Sequence, residues 1–226
     1  MAKGLNGGAT YTYASCITNN NDDRFQGAED TYNLSYGRGL CKFGNREVVT
    51  AHYIYDLPIF QHNSGWMGNV LGGWKFSGIT TFNTGDPLTP VQSRDPFWTS
   101  RNRLGIGLAN GTTIIPDRGT GSPYASPRTV NQWFTNANGA YVDAKGHFGN
   151  SGVSILTGPH YLDFDWGLRK TFKIRDKINL QYSADAFNVF NHANFTDPNM
   201  NIDSTFGQIT SDIAFRDMQM GLKLKF

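Results

Sequence analysis

Charge is scarce in this chain of 226 residues: Asp, Glu, Lys and Arg make up 17% of it, against about 25% in an ordinary soluble domain. The 20 basic and 18 acidic residues leave a formal net charge of +2. That is too little for the electrostatic footprint of a nucleic-acid binder, and no nucleic-acid partner is expected. Cysteine is scarce too. Cys16 and Cys41 cannot make a disulfide-dense scaffold, and one bridge or two free thiols both stay open. No apolar run approaches the ~18–20 residues of a transmembrane helix. Residues 1–13 have no charged stretch followed by an apolar one, so no secretory leader is predicted there. With 26 glycines and 9 prolines, a long coiled coil is excluded.

Present instead are aromatic residues, at 14%, and a persistent alternation of apolar and polar positions. Leu162, Phe164, Trp166, Leu168 and Phe172 alternate with Asp163, Asp165, Gly167, Arg169 and Thr171. Period two is the mark of a strand with two unlike faces. After Arg175-Asp176-Lys177 the pattern resumes with Ile178, Leu180, Tyr182, Ala184 and Ala186. A tight turn between two such runs predicts an antiparallel hairpin. Met218, Met220, Leu222, Leu224 and Phe226 form a further apolar face, opposite Gln219, Gly221, Lys223 and Lys225. Upstream, Val49, Ala51, Tyr53, Tyr55 and Leu57 alternate, with Ile54 as the one breach. Weaker runs cover Trp74 to Phe82 and Leu5 to Tyr13. Six strands are predicted, with one or two more within Asp86 to Pro159.

Two stretches rich in Gly, Pro, Asn and Ser separate these runs, Ile17 to Asn45 and Asp86 to Pro159. Loops this long count against a compact soluble domain. An outer-membrane barrel carries them by design, with short turns at one end and long loops at the other. A soluble β-sandwich also alternates, but several runs reach about 10–11 residues, the length of a tilted membrane strand. Aromatics near the strand ends suit interfacial girdles. The fold class expected is therefore all-β: an antiparallel meander of long strands, a partial outer-membrane β-barrel with long loops. Its apolar face would meet lipid. Its polar face, with Asp163, Asp165 and Arg169, would line a lumen.

Catalytic signals are weak. None of the five histidines forms a close zinc-binding pair. Asp163 and Asp165 share a strand face near His160 and could bind a metal or exchange protons. Ser154 lacks the second glycine of a nucleophile elbow. Asn21-Asp22-Asp23 with Glu29-Asp30 offers oxygen ligands for Ca²⁺ but no central glycine. Asn194-Phe195-Thr196 and Asn110-Gly111-Thr112 match a glycosylation pattern, and Gly105-Ile106-Gly107 lacks dinucleotide-loop spacing. No catalytic residue, metal or cofactor is assigned. The alternatives are a small metal-dependent hydrolase using loop carboxylates and histidines, or a non-catalytic surface-binding β module.

Certain segments are recognisable. They include Phe148-Gly149-Asn150, Gly158-Pro159, Leu162-Asp163-Phe164 and Lys170-Thr171-Phe172. They continue with Phe187-Asn188-Val189-Phe190-Asn191-His192, Asn194-Phe195, Thr205-Phe206-Gly207-Gln208-Ile209-Thr210 and the closing Gly221-Leu222-Lys223-Leu224-Lys225-Phe226. Upstream, Tyr55-Asp56-Leu57-Pro58, Leu71-Gly72-Gly73-Trp74 and Thr84-Gly85-Asp86-Pro87-Leu88-Thr89 add to them. Together the chain resembles the C-terminal part of TonB-dependent outer-membrane receptors, above all the Oar-like, carboxypeptidase-regulatory-domain-containing type of acidobacteria. The resemblance implies residues 1–226 as the C-terminal portion of a transmembrane barrel, without plug or signal peptide, within a longer precursor. Such barrels run to about 22 strands, and six cannot close one. The implied parent function is uptake of a scarce, bulky nutrient such as a siderophore, vitamin or glycan. Implied partners are outer-membrane lipid, the barrel-assembly machinery and, only through an N-terminal part, TonB. Met218, Met220, Leu222, Leu224 and Phe226 look like the assembly signal of this class.

Overall fold

The computed structural model describes residues 4–19, 32–33, 35–42, 45–60, 65–93, 114–175, 178–202 and 205–226. Six strands form one antiparallel sheet: β1 (Leu5–Tyr13), β2 (Glu47–Asp56), β3 (Lys75–Asn83), β4 (Tyr161–Arg175), β5 (Ile178–Phe187) and β6 (Asp217–Lys225). Their order in space is their order in the chain, so the sheet is a pure meander. The candidate Ca²⁺ ligands at 21–30, Asn110-Gly111-Thr112 and Gly105-Ile106-Gly107 lie outside the described residues.

Register decides which residues share a face. Leu5 pairs with Tyr55, Tyr55 with Phe76, Phe76 with Leu168, Leu168 with Ala184 and Ala184 with Met220. Directly opposed residues project to the same side. The six alternations are therefore in phase across the sheet, save at the register shift between Lys173 and Arg175 beside the tight turn. A slip of one residue at any pairing would break the band.

One face carries Tyr53, Tyr55, Phe76, Trp166, Leu168, Tyr182, Leu222 and Met220. The other carries Ser77, Thr81, Asp163, Asp165, Arg169, Gln181 and Asp185. Ile54 lies on the polar side, as its place in the alternation requires, and Ile79 joins it there.

The connections fall into two kinds. Residues 14–46, 84–160 and 188–216 join strands at one end of the sheet. Residues 57–74 and the tight connection after Arg175 join them at the other. The first strand's start and the last strand's end both lie at the short-connection end.

The additional strands within 84–160 are short and stay out of the sheet. Pro87–Leu88 pairs with Leu156–Thr157, Asp117–Arg118 with Tyr141–Val142, and Tyr124–Thr129 with Gln132–Phe134. They fold into a cap at the long-loop end. Its core is Leu88, Phe134, Ala140, Tyr141, Leu156 and Phe206. Phe206 stacks on Phe134 at 6.0 Å and meets Tyr141 edge-on at 5.7 Å. Burial pushes the Tyr141 hydroxyl pKa up to about 12. Cys16 and Cys41 form a disulfide. It staples the ladder of Ile17–Thr18 with Gly39–Leu40 at the base of another long loop.

Among the described residues, every buried hydrophobic side chain belongs to the loops, and none to the six strands. A soluble sandwich would bury the apolar face of this sheet. Here that face is left open.

Candidate functional site

The apolar face runs across all six strands. Met218, Met220, Leu222 and Leu224 project from β6 at 62%, 77%, 71% and 54% exposure, with Phe226 beyond them at 97%. They pair with Ala186, Ala184, Tyr182 and Leu180 on β5. The other edge of β6 has no partner strand among the described residues. Across β3 and β4 the band becomes aromatic. Phe76 meets Trp166 edge-on at 5.4 Å and Tyr53 at 5.8 Å. Gly78 makes this possible. A Cβ there would come within 2.4 Å of the Tyr53 hydroxyl, so the tyrosine ring lies across the strand where the glycine leaves room.

Two charges stand on this face: Glu47 at its long-loop border, opposite Tyr13, and Lys170 within the band. Lys170 occupies an apolar-face position opposite Tyr182, and it is only 4% exposed. Its ammonium lies 5.0 Å from the Phe172 ring centroid and 5.7 Å from that of Trp74, and it donates to the Gly72 carbonyl. The aromatic faces and the carbonyl give the cation its partners. The even-numbered alternation from Leu162 to Phe172 passes through position 170. The sequence reading leaves this position out of the row, and the lysine's partners come from distant elements.

The polar face holds the sequence-assigned carboxylates apart. Asp163, Asp165 and Arg169 do share that face, as alternation predicts. The structure does not make them one cluster. Asp163 accepts from the Tyr161 hydroxyl at 3.1 Å, and Asp165 accepts from the Asn188 backbone N–H at 3.0 Å. Arg169 pairs instead with Asp185 at 3.3 Å, above the flat Gly167. His160 packs on Phe82 and His192, on the apolar side. Among the described residues no group of three or more His, Cys, Asp or Glu could hold a metal ion.

The Phe-Asn-x-Phe-Asn-His segment has a structural task. β5 leaves the sheet at Phe187, whereas β4 continues towards the loops, so residues 161–165 of β4 lose their neighbour on that side. Asn188 and Asn191 turn the chain with φ of 46° and 51°. The Val189 N–H then donates to the Phe164 carbonyl at 2.9 Å. The Asn194 side chain accepts from the Leu162 N–H at 2.8 Å and donates to the Leu162 carbonyl at 3.0 Å. Asn188 is 2% exposed; its amide binds the His192 N–H, the His192 carbonyl and the Ala214 carbonyl. Phe190 folds back onto Phe164 and Trp166, at 5.1 Å from each. With Asn194 fully buried, Asn194-Phe195-Thr196 offers no accessible glycan acceptor.

An in-phase apolar band, a polar opposite face, and long loops at one end with short connections at the other define a membrane-spanning β-barrel wall. Residues 1–219 match the family model described as an outer membrane beta barrel domain. The chain belongs to that family, and its place is the outer membrane. No curated protein and no solved structure matches it.

Proposed function

We propose that the chain is part of the wall of a TonB-dependent outer-membrane transporter that takes up a scarce, bulky nutrient such as a siderophore, vitamin or glycan. The observation that carries this reading is the open six-stranded meander, predominantly apolar on one face, beneath a folded cap of long loops. Six strands are too few to enclose a lumen, and both edge strands lack partners among the described residues. A wide barrel with further strands satisfies those edges, since unpaired backbone groups in lipid cost several kcal/mol each. Barrels of about 16–18 strands are open porins, whereas those of about 22 are transporters with a plugged lumen. The motif resemblance of the chain points to the same class.

In this reading the band from Leu5 to Phe226 meets lipid. Asp163, Asp165 and Arg169 face the lumen, and the cap faces outward. A disulfide-stapled loop suits an oxidising exterior. Met218, Met220, Leu222, Leu224 and Phe226 present an unpaired apolar edge that assembly machinery can read by strand addition. The deciding experiment is uptake by the native host with the gene intact or deleted, with and without a protonophore. Loss of energy-dependent accumulation of one bulky nutrient on deletion supports the reading. Equal uptake of every nutrient tested in both strains, or passage indifferent to the protonophore, overturns it.

A further inference from the structure

The connection at 57–74 is unlike an ordinary solvent-facing turn. Between Asp56 and Lys75, which pair at its neck at 3.1 Å, the sequence contains no Asp, Glu, Lys or Arg. It carries one short helix, α1 (Trp66–Leu71). Trp66, Met67, Val70 and Leu71 fall on one side of that helix by the 3.6-residue period. They are exposed at 68%, 41%, 46% and 39%. Ile59 and Phe60, on the incoming arm, are exposed at 52% and 40%. A polar turn in water has no reason to display six large apolar side chains together.

The position of α1 decides what covers them. Two contacts fasten its C-terminal end to the apolar face of the sheet. The Trp74 indole N–H donates to the Val70 carbonyl at 3.2 Å, and the buried Lys170 ammonium donates to the Gly72 carbonyl. Trp74 is itself held edge-on by Phe172 at 6.4 Å and Tyr182 at 5.9 Å. Gly72 permits the tight return, because a Cβ there would come within 2.7 Å of the Gly68 carbonyl oxygen and 2.8 Å of that of Phe60. The exposed apolar surface of α1 is thus continuous with the sheet's apolar band, at its short-connection border.

We infer that α1 is a membrane-interface anchor, seated among the glycerol and upper acyl groups of the phospholipid monolayer at the short-connection side and clamped to the barrel wall through Lys170 and Trp74. Its occupant is lipid rather than protein, because the surface continues the band that meets lipid. This rests on the lipid-facing reading of that band. Trp at the headgroup boundary and a lysine drawn to a backbone carbonyl there are the side chains that this depth favours. The short helix adds apolar area parallel to the membrane, which strands crossing it do not supply.

The test uses single nitroxide labels, since the Cys16–Cys41 disulfide leaves no free thiol to compete. Val70→Cys and Met220→Cys are labelled in the protein reconstituted in phosphatidylethanolamine–phosphatidylglycerol vesicles. Collision with oxygen and with a water-soluble nickel chelate is measured by EPR. The inference predicts that both labels favour oxygen over the chelate, with position 70 shallower than 220. A label at 220 in hydrocarbon with one at 70 open to the chelate overturns the anchor and leaves the band intact. Both labels open to the chelate overturn the band and the anchor together.

Discussion

The side-chain amide of Asn194 pairs with both backbone groups of Leu162, at 2.8 Å and 3.0 Å, and so substitutes for the neighbouring strand that β4 has lost. An amide presents one donor and one acceptor at nearly the spacing of a peptide group. A hydroxyl donates and accepts through a single oxygen and cannot span the two groups, and an ionised carboxylate only accepts. Asn194→Ala leaves a partly buried N–H and carbonyl without partners, at about 1–3 kcal/mol each. The variant is expected to unfold from the membrane at a markedly lower urea concentration. Asn194→Asp should rescue little, since an ionised carboxylate cannot donate to the Leu162 carbonyl. An unchanged urea midpoint for Asn194→Ala would refute the edge-capping role.

Lys170 tests whether the band tolerates charge only with its partners. Lys170→Glu sets an anion against the Gly72 carbonyl and two aromatic faces. A loss of about 3–5 kcal/mol is expected, as for breaking a buried charge from its partner. Lys170→Met keeps the stem and its packing but leaves the Gly72 carbonyl without its donor, so a smaller loss of about 1–3 kcal/mol is expected. The comparison is made by urea titration in bilayers. Equal midpoints for the two variants would show that the site is not sealed.

In the cap, His147 faces acceptors from both ring nitrogens: Asp117 at 2.9 Å and the Lys145 carbonyl, also at 2.9 Å. The Asp117 hydrogen bond, the Lys145 carbonyl and the Asp117 charge together raise its pKa above the ordinary 6.5. A raised folded-state pKa means the contribution is fully present below that ordinary value. It is lost as pH rises through the folded-state value. An NMR titration of His147 should show its midpoint fall in Asp117→Asn. Amide exchange in the Asp117–Arg118 ladder should quicken with pH, beyond its intrinsic rate, only in the wild type. Identical midpoints in the two proteins would refute the pairing.

The Cys16–Cys41 bridge spans a sequence separation of 25. Closing a loop of that size is worth roughly 3 kcal/mol, or about 100-fold in the opening equilibrium. Protease added outside intact cells should therefore cut residues 14–46 much faster after reduction, or in a Cys16→Ser, Cys41→Ser double variant. Unchanged cleavage would mean the bridge does not hold that loop closed.

Much of the wall was legible in the sequence, because period two survives wherever one face must be apolar. The strands of Val49, Leu162, Ile178 and Met218 stand where alternation predicts them. What alternation lacks is any measure of which side of the sheet is covered. Burial supplies it: among the described residues every buried hydrophobic side chain lies in the loops. The task of Asn188 and Asn194 was hidden for a different reason. A capping amide is defined by the strand it replaces, and Leu162 lies 32 positions away from Asn194. Lys170 falls at the one position that the alternation from Leu162 to Phe172 passes over, and its stabilisation depends on Gly72 and Trp74, brought close only by the return of α1. Asp163 and Arg169 share a face as expected. Register, rather than closeness in sequence, gave Arg169 to Asp185.

The central claim is that the in-phase face meets lipid along its whole length. A cysteine scan through β6 in native outer membranes tests it most directly, with a water-soluble maleimide as the reagent. The account predicts poor labelling at positions 218, 220, 222 and 224 and strong labelling at 219, 221 and 223, a clean period of two. Labelling that rises and falls without that period, or that favours the even positions, would contradict it.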